Sequence, residues 1–404
     1  MDKRMITVII IAILVVSGIG ATVFLDIGRS DSNNPLAGEI RIDAKGRKVA
    51  IPDNLDNGIV TIGGNGPLRF LSIFDVNDKL IQVDESDVKD KGGKAYSYTY
   101  PYDEFPPDMY HPWNKLETET VERIGKKSPS LIIVQESVYN NYKDNCDILA
   151  KSYTLIVLHE QSDVNLWKDD FILSDWYVSN IRLIGDMIGK PERAEEHISD
   201  VNGIIADIRG LISNSDIKTY VAGLTNKGSN ELITTFPSYL PLMLVDGENA
   251  YKGTESGRAD LEVEKITSDI MPNTGMIVID PSSSDKLTTV NSQKVMEYIY
   301  GLSENERPPI YITLPMISYR ANYDCVLAGS YYMAHLLYGT VSLEEVEEKI
   351  VDVFQAYYGD AGINVYEDMK EFFRNETSKN GQEMPLLGEV KIELNGGKYR
   401  FITA

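Results

Sequence analysis

The stretch that decides the fold is Lys190–Ser213, KPERAEEHISDVNGIIADIRGLIS. Pro191 suits the first turn of a helix, where its missing N–H costs nothing, and Glu192 places negative charge at the positive end of the helix dipole. Apolar residues then recur in steps of four and three, the spacing of one buried stripe: Ala194, Ile198, Val201, Ile205, Ile208 and Ile212. A helix of about 22 residues spans about 33 Å, the width of a small domain. With strand patterns on both sides, the stretch predicts a rigid strut joining two lobes; the alternative is a surface helix of one large domain.

The length and charge of the chain limit its class. A chain of 404 residues exceeds what one hydrophobic core usually serves, which favours two lobes or domains. The 39 basic and 61 acidic residues give a formal net charge of −22. This balance argues against nucleic acid as a partner and against docking on anionic lipid through a basic patch. It indicates a strongly hydrated surface and identifies no ligand.

The first 25 residues differ in character from the rest. Lys3 and Arg4 precede Ile6–Leu25, a run of 20 residues without a charge. Such a run is long enough to span a bilayer, with the positive charge on the cytoplasmic side. We interpret residues 1–25 as a transmembrane anchor, or alternatively as a signal segment that is cleaved. Residues 26–38 are typical of a flexible tether, so we expect the remainder on the outer face of the cytoplasmic membrane, or secreted after cleavage.

The chain has two cysteines, Cys146 and Cys325, far apart in sequence. Outside the cell they could pair, but each also lies beside apolar residues and could be a buried thiol. The sequence contains no C-x-x-C pair and no cluster of histidine and cysteine. We therefore expect no metal site of the structural zinc type.

Short apolar runs alternate with helical patterns on both sides of the strut. They lie at 58–62, 80–83, 131–134 and 155–158 before it, and at 219–222, 275–280 and 310–314 after it. Strands that are apolar on both faces and alternate with helices indicate a parallel sheet covered on both sides. The sequence therefore predicts an α/β protein of two doubly wound lobes on a long rigid helix. The predicted parts are an N-terminal lobe at 39–189, the inter-lobe helix at 190–213, a C-terminal lobe at 214–359, and an extension at 360–404 with a helix and a β-hairpin.

Several stretches together resemble one family. They are IRIDAKGRKVAIPDNLDNGIVTIG (40–63), VERIGKKSPSLIIV (121–134), IRLIGDMIGKPERAEEHISDVNGIIADI (181–208), EKITSDIMPNTGMIVID (264–280) and ANYDCVLAGSYYMAHLLYG (321–339). In this order and spacing they are similar to the substrate-binding proteins of ABC importers for iron–siderophore complexes, haem and cobalamin. The resemblance covers about Ile40 to Gly359. The loop from Lys91 to Asn114 is longer than that family suggests, and the C-terminal extension lies outside the resemblance.

The resemblance implies a receptor and not an enzyme. It implies a monomer that captures a metal complex between its lobes, a ferric siderophore first and cobalamin or haem next, and delivers it to an ABC permease with its ATPase. An anchored sensor or scavenger of metal complexes without transport is the alternative. In the resembled family one glutamate on each lobe meets permease arginines, and the matching residues here are Glu122 and Glu264, with Glu262 as a substitute for the second.

Ligands of doubly wound sheets sit at the carboxyl ends of the strands, which brings the loop Gly63–Pro67 and its Asn65 to the expected cleft. The most unusual composition follows at Tyr96, Tyr98, Tyr100 and Tyr102, with Trp113 further on. In an extended segment these tyrosines would share one face, and such a face could stack on flat or macrocyclic groups. The alternative is a flap whose tyrosines pack on the lobe.

In the second lobe the candidate ligand-binding residues are Phe236, Tyr239, Tyr319, Arg320 and Tyr323. Arg320 suits a carboxylate or phosphate held by two hydrogen bonds; a structural salt bridge is the alternative. No set of serine, histidine and aspartate and no pair of carboxylates has the spacing of a catalytic site. The sequence therefore predicts ligand binding without catalysis and without a resident cofactor.

Overall fold

The computed structural model describes residues 34–404, except for positions 90, 161–165, 169–170, 225–228, 256 and 319. The predicted anchor at 1–25 and most of the tether lie outside the described residues, as does Tyr319. Among the helices that the structure describes, none has both the length and the apolar character needed to cross a membrane.

The N-terminal half is built on a parallel sheet. An antiparallel hairpin of β1 (Ile40–Ile42) and β2 (Lys48–Ala50) precedes β3 (Ile59–Ile62), β4 (Leu80–Asp84), β5 (Tyr110–His111), β6 (Leu131–Gln135) and β7 (Thr154–Leu158). The five later strands lie in the order β5-β4-β3-β6-β7, and each pair is parallel. The chain reverses its direction of winding between β3 and β6, so this sheet has a switch point there, where open α/β sheets form a crevice.

Both faces of this sheet are covered, as the continuous apolar runs predicted. Alternate residues such as Val60 and Ile132 pack in one apolar cluster, while Ile59 and Ile133 pack in a second cluster on the other side. The second cluster continues through the connecting helices into the C-terminal half. The two halves therefore share a continuous apolar core.

The C-terminal half has its own sheet. Its strands are β8 (Lys218–Ala222), β10 (Glu248–Asn249), β12 (Met276–Ile279), β13 (Ile310–Ile312), β16 (Glu389–Asn395) and β17 (Lys398–Thr403). They lie in the order β10-β8-β12-β13-β16-β17. The first four are mutually parallel, whereas the C-terminal hairpin β16–β17 adds to β13 in antiparallel pairing. Two further short pairs join β9 (Thr234–Thr235) to β11 (Ala259–Asp260), and β14 (Ile317–Ser318) to β15 (Arg320–Ala321).

The described α-helices surround these sheets. In chain order they are α1 (Pro67–Leu71), α2 (Glu85–Lys89), α3 (Thr118–Lys127), α4 (Glu136–Asn141), α5 (Lys143–Ala150), α6 (Asp175–Ile188), α7 (Pro191–Gly210), α8 (Leu240–Leu244), α9 (Val263–Lys265), α10 (Val290–Gly301), α11 (Tyr323–Tyr338), α12 (Leu343–Tyr358) and α13 (Val365–Lys379). A π-helical turn, Ile266–Ile270, continues α9.

The predicted strut is α7, a helix of 20 residues that spans about 30 Å. Its apolar stripe is buried from Ala194 to Ile208, whereas Ile212 lies beyond the end of the helix. The helix packs against α6 on one side and against α11 and α12 of the C-terminal half on the other. It is therefore in contact with both halves along its length, and the predicted architecture of two α/β lobes on a helical connector is confirmed. The exact domain boundaries remain predictions.

One long loop of the N-terminal lobe crosses to the C-terminal lobe. The main-chain oxygen of Gly93 accepts a hydrogen bond from the side-chain amide of Asn322. A Cβ atom at Gly93 would lie 2.8 Å from Pro315 Cβ, so only glycine allows this approach. Further along the loop, the Tyr98 ring meets Phe372 of α13 edge-on at 6.2 Å between centroids. The C-terminal extension therefore contacts the N-terminal lobe through this loop.

Each lobe holds one of the two cysteines. Both Cys146 and Cys325 are buried and unpaired, and burial raises the pKa of the Cys146 thiol to about 12. A thiol in such surroundings is unreactive. Of the two alternatives that the sequence left open, the structure has the buried thiols and not the disulfide.

Candidate ligand-binding cleft

A cavity lies between the lobes at the carboxyl ends of β3, β6 and β7. Its cavity volume is about 30 Å³. The N-terminal lobe and α6 supply Asn65, Gly66, Pro67, Arg69, Phe70, Gln135, Leu158, His159, Glu160 and Trp176, and the C-terminal lobe supplies Arg320 and Tyr323. The cavity coincides with the switch point between β3 and β6, which is the place where the fold predicts a ligand.

The glycine-rich loop after β3 forms one wall. Asn65 has a left-handed backbone conformation with φ 57°, and its N–H donates a 2.8 Å hydrogen bond to Asp87 Oδ1. The N–H of Gly64 donates to Asn114 Oδ1 at 3.0 Å. A Cβ atom at Gly64 would come within 2.9 Å of the Trp113 indole, so the sequence needs glycine here. Close packing from outside thus fixes the loop against the cleft.

Two arginines bring positive charge to the cleft, and each is tied to the opposite lobe. Arg69, on α1 of the N-terminal lobe, is buried and donates to the main-chain oxygen of Ala321 and to Asn322 Oδ1. Its Nε has no hydrogen-bond partner among the described residues. Arg320 of the C-terminal lobe forms an ion pair with Glu160 of the N-terminal lobe.

The remaining wall combines an amide with aromatic rings. Gln135 is buried at the end of β6, and its Oε1 has no hydrogen-bond partner within the described part of the chain. The ring of Trp176 lies 5.8 Å from that of Tyr323 and 6.3 Å from that of Phe70, measured between centroids. Donors with positive charge, an amide and an aromatic wall suit a solute that carries anionic oxygens on a partly apolar body.

The predicted site residues divide into two groups. Asn65, Arg320 and Tyr323 line the cavity together. Tyr96 lies directly behind Asn65, with its hydroxyl bonded to Asn65 Oδ1 at 2.8 Å and its side chain buried. The prediction of an extended tyrosine segment with one common face is wrong, because residues 95–98 and 102–104 form 3₁₀ turns.

The other tyrosines of that segment have packing roles. Tyr102 is buried and its hydroxyl lies 3.1 Å from Ser72 Oγ. Tyr100 packs between Tyr102 and Phe105, at 5.5 Å and 5.9 Å between ring centroids. Tyr98 donates to the main-chain oxygen of Gly92 at 3.0 Å. The flap alternative, in which the tyrosines pack on protein, describes these three residues.

The remaining predicted residues lie apart from the cavity. Phe236 and Tyr239 are both 1% exposed in the core of the C-terminal lobe, where the Tyr239 hydroxyl donates to Thr313 Oγ1 at 3.4 Å. Trp113 is 44% exposed on the outside of the glycine-rich loop. Their contact with a ligand stays a prediction, as does that of Tyr319. The docking candidates Glu122, on α3, and Glu264, on α9, are exposed on different lobes.

Several cavity residues were missed by the sequence prediction, among them Arg69, His159, Glu160 and Trp176. The strand-end rule places the loop that begins at Gln135 at the cleft, and the same rule could have found His159 and Glu160, which follow β7. Arg69 interrupts an otherwise apolar helix start, PLRFL, which is a signal for a buried charge with a special role. Trp176 carries no comparable signal in the sequence. No group of three or more histidine, cysteine, aspartate or glutamate residues in the described ranges could hold a metal ion.

The two lobes, the helical connector and the cleft between them define a class of fold. No protein-family model matches the chain, and no curated protein sequence matches it. Solved structures do match: the chain has the fold of the TroA-like periplasmic solute-binding proteins, and the resemblance seen in the sequence is confirmed at the level of the fold.

Three of these structures illustrate the likeness. A periplasmic solute-binding protein of Veillonella parvula is 17% identical with a TM-score of 0.58, and the alignment covers 81% of this chain and 96% of that one. The molybdate-binding protein MolA of Haemophilus influenzae, solved with molybdate, is 16% identical with a TM-score of 0.56, covering 79% and 98%. The TroA-like protein FepB of Veillonella parvula is 17% identical with a TM-score of 0.53, covering 79% and 96%. All three are binding proteins and not enzymes.

Proposed function

We propose that this protein is the extracytoplasmic solute-binding protein of an ABC importer and carries an anionic metal complex between its lobes. The observation that carries the proposal is the pair of arginines, Arg69 and Arg320, which reach one cavity from opposite lobes. A solute with anionic oxygens can accept from both lobes at once, which couples its binding to closure of the cleft.

A ferric siderophore with carboxylate or catecholate oxygens is the preferred solute class. Its anionic oxygens match the arginines, and its organic backbone matches the wall of Phe70, Trp176 and Tyr323. A cobalamin or a haem is the alternative metal complex; like a ferric siderophore, it would need a wider opening between the lobes than the present cavity has.

A small tetrahedral oxyanion is the second candidate. The small cavity volume of about 30 Å³ favours it. MolA, which has the same fold, was solved with molybdate. The two candidates differ in how far the lobes would have to separate around the solute.

The proposal includes the surroundings of the cleft. Residues 1–25 would hold the protein at the outer face of the membrane as a monomer, and Glu122 and Glu264 would dock it on a permease with its ATPase. An anchored sensor or scavenger with the same cleft remains the alternative. If uptake of the solute into cells requires a permease, the importer is favoured over the sensor or scavenger.

The solute class can be tested by tryptophan fluorescence, because Trp176 lies in the cavity wall. The full chain is titrated with a ferric tris-catecholate, ferric citrate, haemin, cyanocobalamin and molybdate. We expect quenching by an anionic ferric complex, and Arg320→Gln should weaken its binding about tenfold, since a charge-assisted hydrogen bond is lost. Arg69→Lys should also weaken binding, because lysine keeps the charge but not the planar fork.

Arg182→Gln is the matched control, since this arginine forms an exposed ion pair with Glu195 on the connector helices. Its affinity should equal that of the unchanged protein. If molybdate alone binds, the oxyanion becomes the preferred solute. Equal affinities in the control and in both cleft variants would contradict the role of the arginines.

A further inference from the structure

We infer that Asp87 determines which end of the Asn65 side-chain amide faces the ligand cleft, through a proton relay that runs over the Tyr96 hydroxyl. The inference rests on the proposed function of the cleft, and it assigns a positioning role to a residue that does not line the cavity itself.

The geometry of the relay is a row of three side chains. Asp87, on α2, is fully buried. Its Oδ1 lies 2.7 Å from the Tyr96 hydroxyl, and the same hydroxyl lies 2.8 Å from Asn65 Oδ1. Asn65 is in turn the member of this row that lines the cavity.

A phenol has one proton, so Tyr96 cannot donate to both neighbours at once. If Asp87 is ionised, it only accepts, and Tyr96 must donate to it. The phenol oxygen then accepts from Asn65 Nδ2, which turns Asn65 Oδ1 towards the cleft. If Asp87 is protonated, it donates to Tyr96, Tyr96 donates to Asn65 Oδ1, and Nδ2 faces the cleft instead. The cleft thus presents an acceptor in one state and a donor in the other.

The surroundings of Asp87 allow both states near neutral pH. Burial and the nearby charge of Asp84 raise the pKa of Asp87 to about 6, against the opposing effects of the Lys94 charge and the bonds from Tyr96 and Asn65. Its Oδ2 has no hydrogen-bond partner among the residues that the structure describes.

Charged and titratable groups face Asp87 from each neighbouring element. Asp84 lies on β4, Lys94 and Tyr102 on the long loop, and His111 on β5. Burial lowers the pKa of His111 and raises the pKa values of Tyr96 and Tyr102. Asp84 also has a raised pKa through burial, and it is held by Ser86 and Asn114. Asp87 is therefore the group in this cluster that touches the relay and can change its proton.

The consequence for binding has a definite sign. An anionic solute accepts hydrogen bonds, so it prefers the state in which Asn65 presents Nδ2. Affinity for an anion should therefore rise as the pH falls through about 6. Asp87→Asn imitates the ionised acid, because its Oδ1 can still accept from both the main-chain N–H of Asn65 and the Tyr96 hydroxyl but takes up no proton.

The first test needs no solute. The full chain is labelled with ¹⁵N-asparagine, the Asn65 side-chain signal is assigned by its loss in Asn65→Ala, and its position is followed between about pH 5 and about pH 7.5. We expect a shift with a midpoint near pH 6 in the unchanged protein. Asp87→Asn and Tyr96→Phe should remove the shift, whereas Tyr110→Phe, which loses a hydroxyl bonded to the main chain at Phe105, should keep it. The inference is overturned if the Asn65 side-chain signal does not shift with pH, or if it shifts equally in Asp87→Asn.

The second test uses sulfate as the probe, because its charge is constant over this range, and the anionic ferric complexes of the fluorescence titration alongside it. Affinity should increase about tenfold from about pH 7.5 to about pH 5 in the unchanged protein, and should be low and constant in Asp87→Asn. If no anion binds at any pH, the proposed solute class is wrong, while the asparagine signal still decides the relay. If an anion binds with the same pH profile in both proteins, the relay does not determine which group of Asn65 faces the cleft, and the inference fails.

Discussion

His197 lies on the connector helix, and its ring is fully buried. Its two ring nitrogens make polar contacts with different lobes. Its Nε2 lies 2.8 Å from the Tyr177 hydroxyl and its Nδ1 lies 3.2 Å from the main-chain oxygen of Ala356. Its ring also meets Tyr357 edge-on, at 4.7 Å between centroids. Burial lowers the pKa of His197 to about 3, so the ring stays neutral wherever the protein is folded.

This histidine should make the protein sensitive to acid. In the unfolded chain its pKa is about 6.5, so between that value and about 3 the unfolded state binds the extra proton. Stability from this residue is therefore complete above about pH 6.5 and is lost as the pH falls below it, by at most about 5 kcal/mol. Urea unfolding at about pH 7.5 and about pH 5 should show this loss.

His197→Gln is the comparison that isolates the effect, because glutamine can bond but cannot take up the proton. The variant should be less stable at neutral pH and should lose less on acidification. Asp87 and Asp280 act in the opposite direction, since burial raises the pKa of each to about 6, so the difference between the two proteins is the quantity to compare. An equal loss in both proteins would contradict the assignment to His197.

The chemistry of single residues also explains which cleft residues could be predicted from the sequence. Asn65 was predicted because it lies in a glycine-rich loop directly after an apolar run. Arg320 was predicted because it is a charged residue that follows a later apolar run. Arg69 was not found, since its partners Ala321 and Asn322 are about 250 positions away in the chain and only tertiary structure brings them together. The same holds for Asp87, whose role depends on Tyr96 folding back over the loop.

Among the elements, the long loop at 91–114 differs most from its predicted form. The alternation of tyrosine with other residues suggested an extended strand, but Pro101 and the pair Pro106-Pro107 interrupt such a strand. The tyrosine rings then pack on the lobe, on one another and on Phe372 of α13. Apolar runs flanked by helices predicted the parallel strands well, because a strand that is buried on both faces needs apolar residues along its whole length.

Removing the rings of this loop should destabilise the protein. Tyr98, Tyr100 and Tyr102 changed together to alanine should lower the free energy of unfolding by about 3 kcal/mol or more, since a buried aromatic ring leaves a cavity. Tyr102, which is 1% exposed, should account for much of this loss. Calorimetry would measure the change.

The triple change to phenylalanine is the control, because it keeps the rings and removes only the hydroxyls. Its melting temperature should lie close to that of the unchanged protein. A melting temperature of the alanine variant that equals that of the control would show that the rings are free to meet a ligand.

At the scale of the whole molecule, the connector fixes how the two lobes face a partner. The α7 helix packs on α6 and on the C-terminal helices, and polar contacts such as that between Arg69 and Asn322 cross the cleft. The architecture was predictable from the stripe on this helix and from the repeated strand patterns. The place of the cleft at the strand ends was predictable too, but its width and full lining were not, because they depend on how the lobes pack.

The helical connector limits how far the lobes can move relative to each other, which bears on the proposed permease contact. Two exposed carboxylates held apart by a rigid body can engage two arginines at once, which gives both register and avidity. Glu122→Ala combined with Glu264→Ala should therefore abolish solute uptake in cells that make the permease, while the affinity of the purified protein for its solute stays the same.

The control pair is Glu192→Ala with Glu304→Ala, two exposed glutamates at other positions on the surface. Uptake should be normal in this variant. If Glu264→Ala alone has no effect, Glu262→Ala tests the neighbouring carboxylate. Normal transport by the double variant of Glu122 and Glu264 would contradict the docking proposal.

The pairing of β13 with the C-terminal hairpin has a consequence for the order in which the protein is made. The main-chain groups on one edge of β13 find their partners only in β16, about 80 positions later. Until the ribosome has delivered those residues, that edge stays open to pairing with another chain. A stop before residue 389 would therefore leave a nearly complete chain whose β13 edge stays open, and such a chain should aggregate by pairing of that edge.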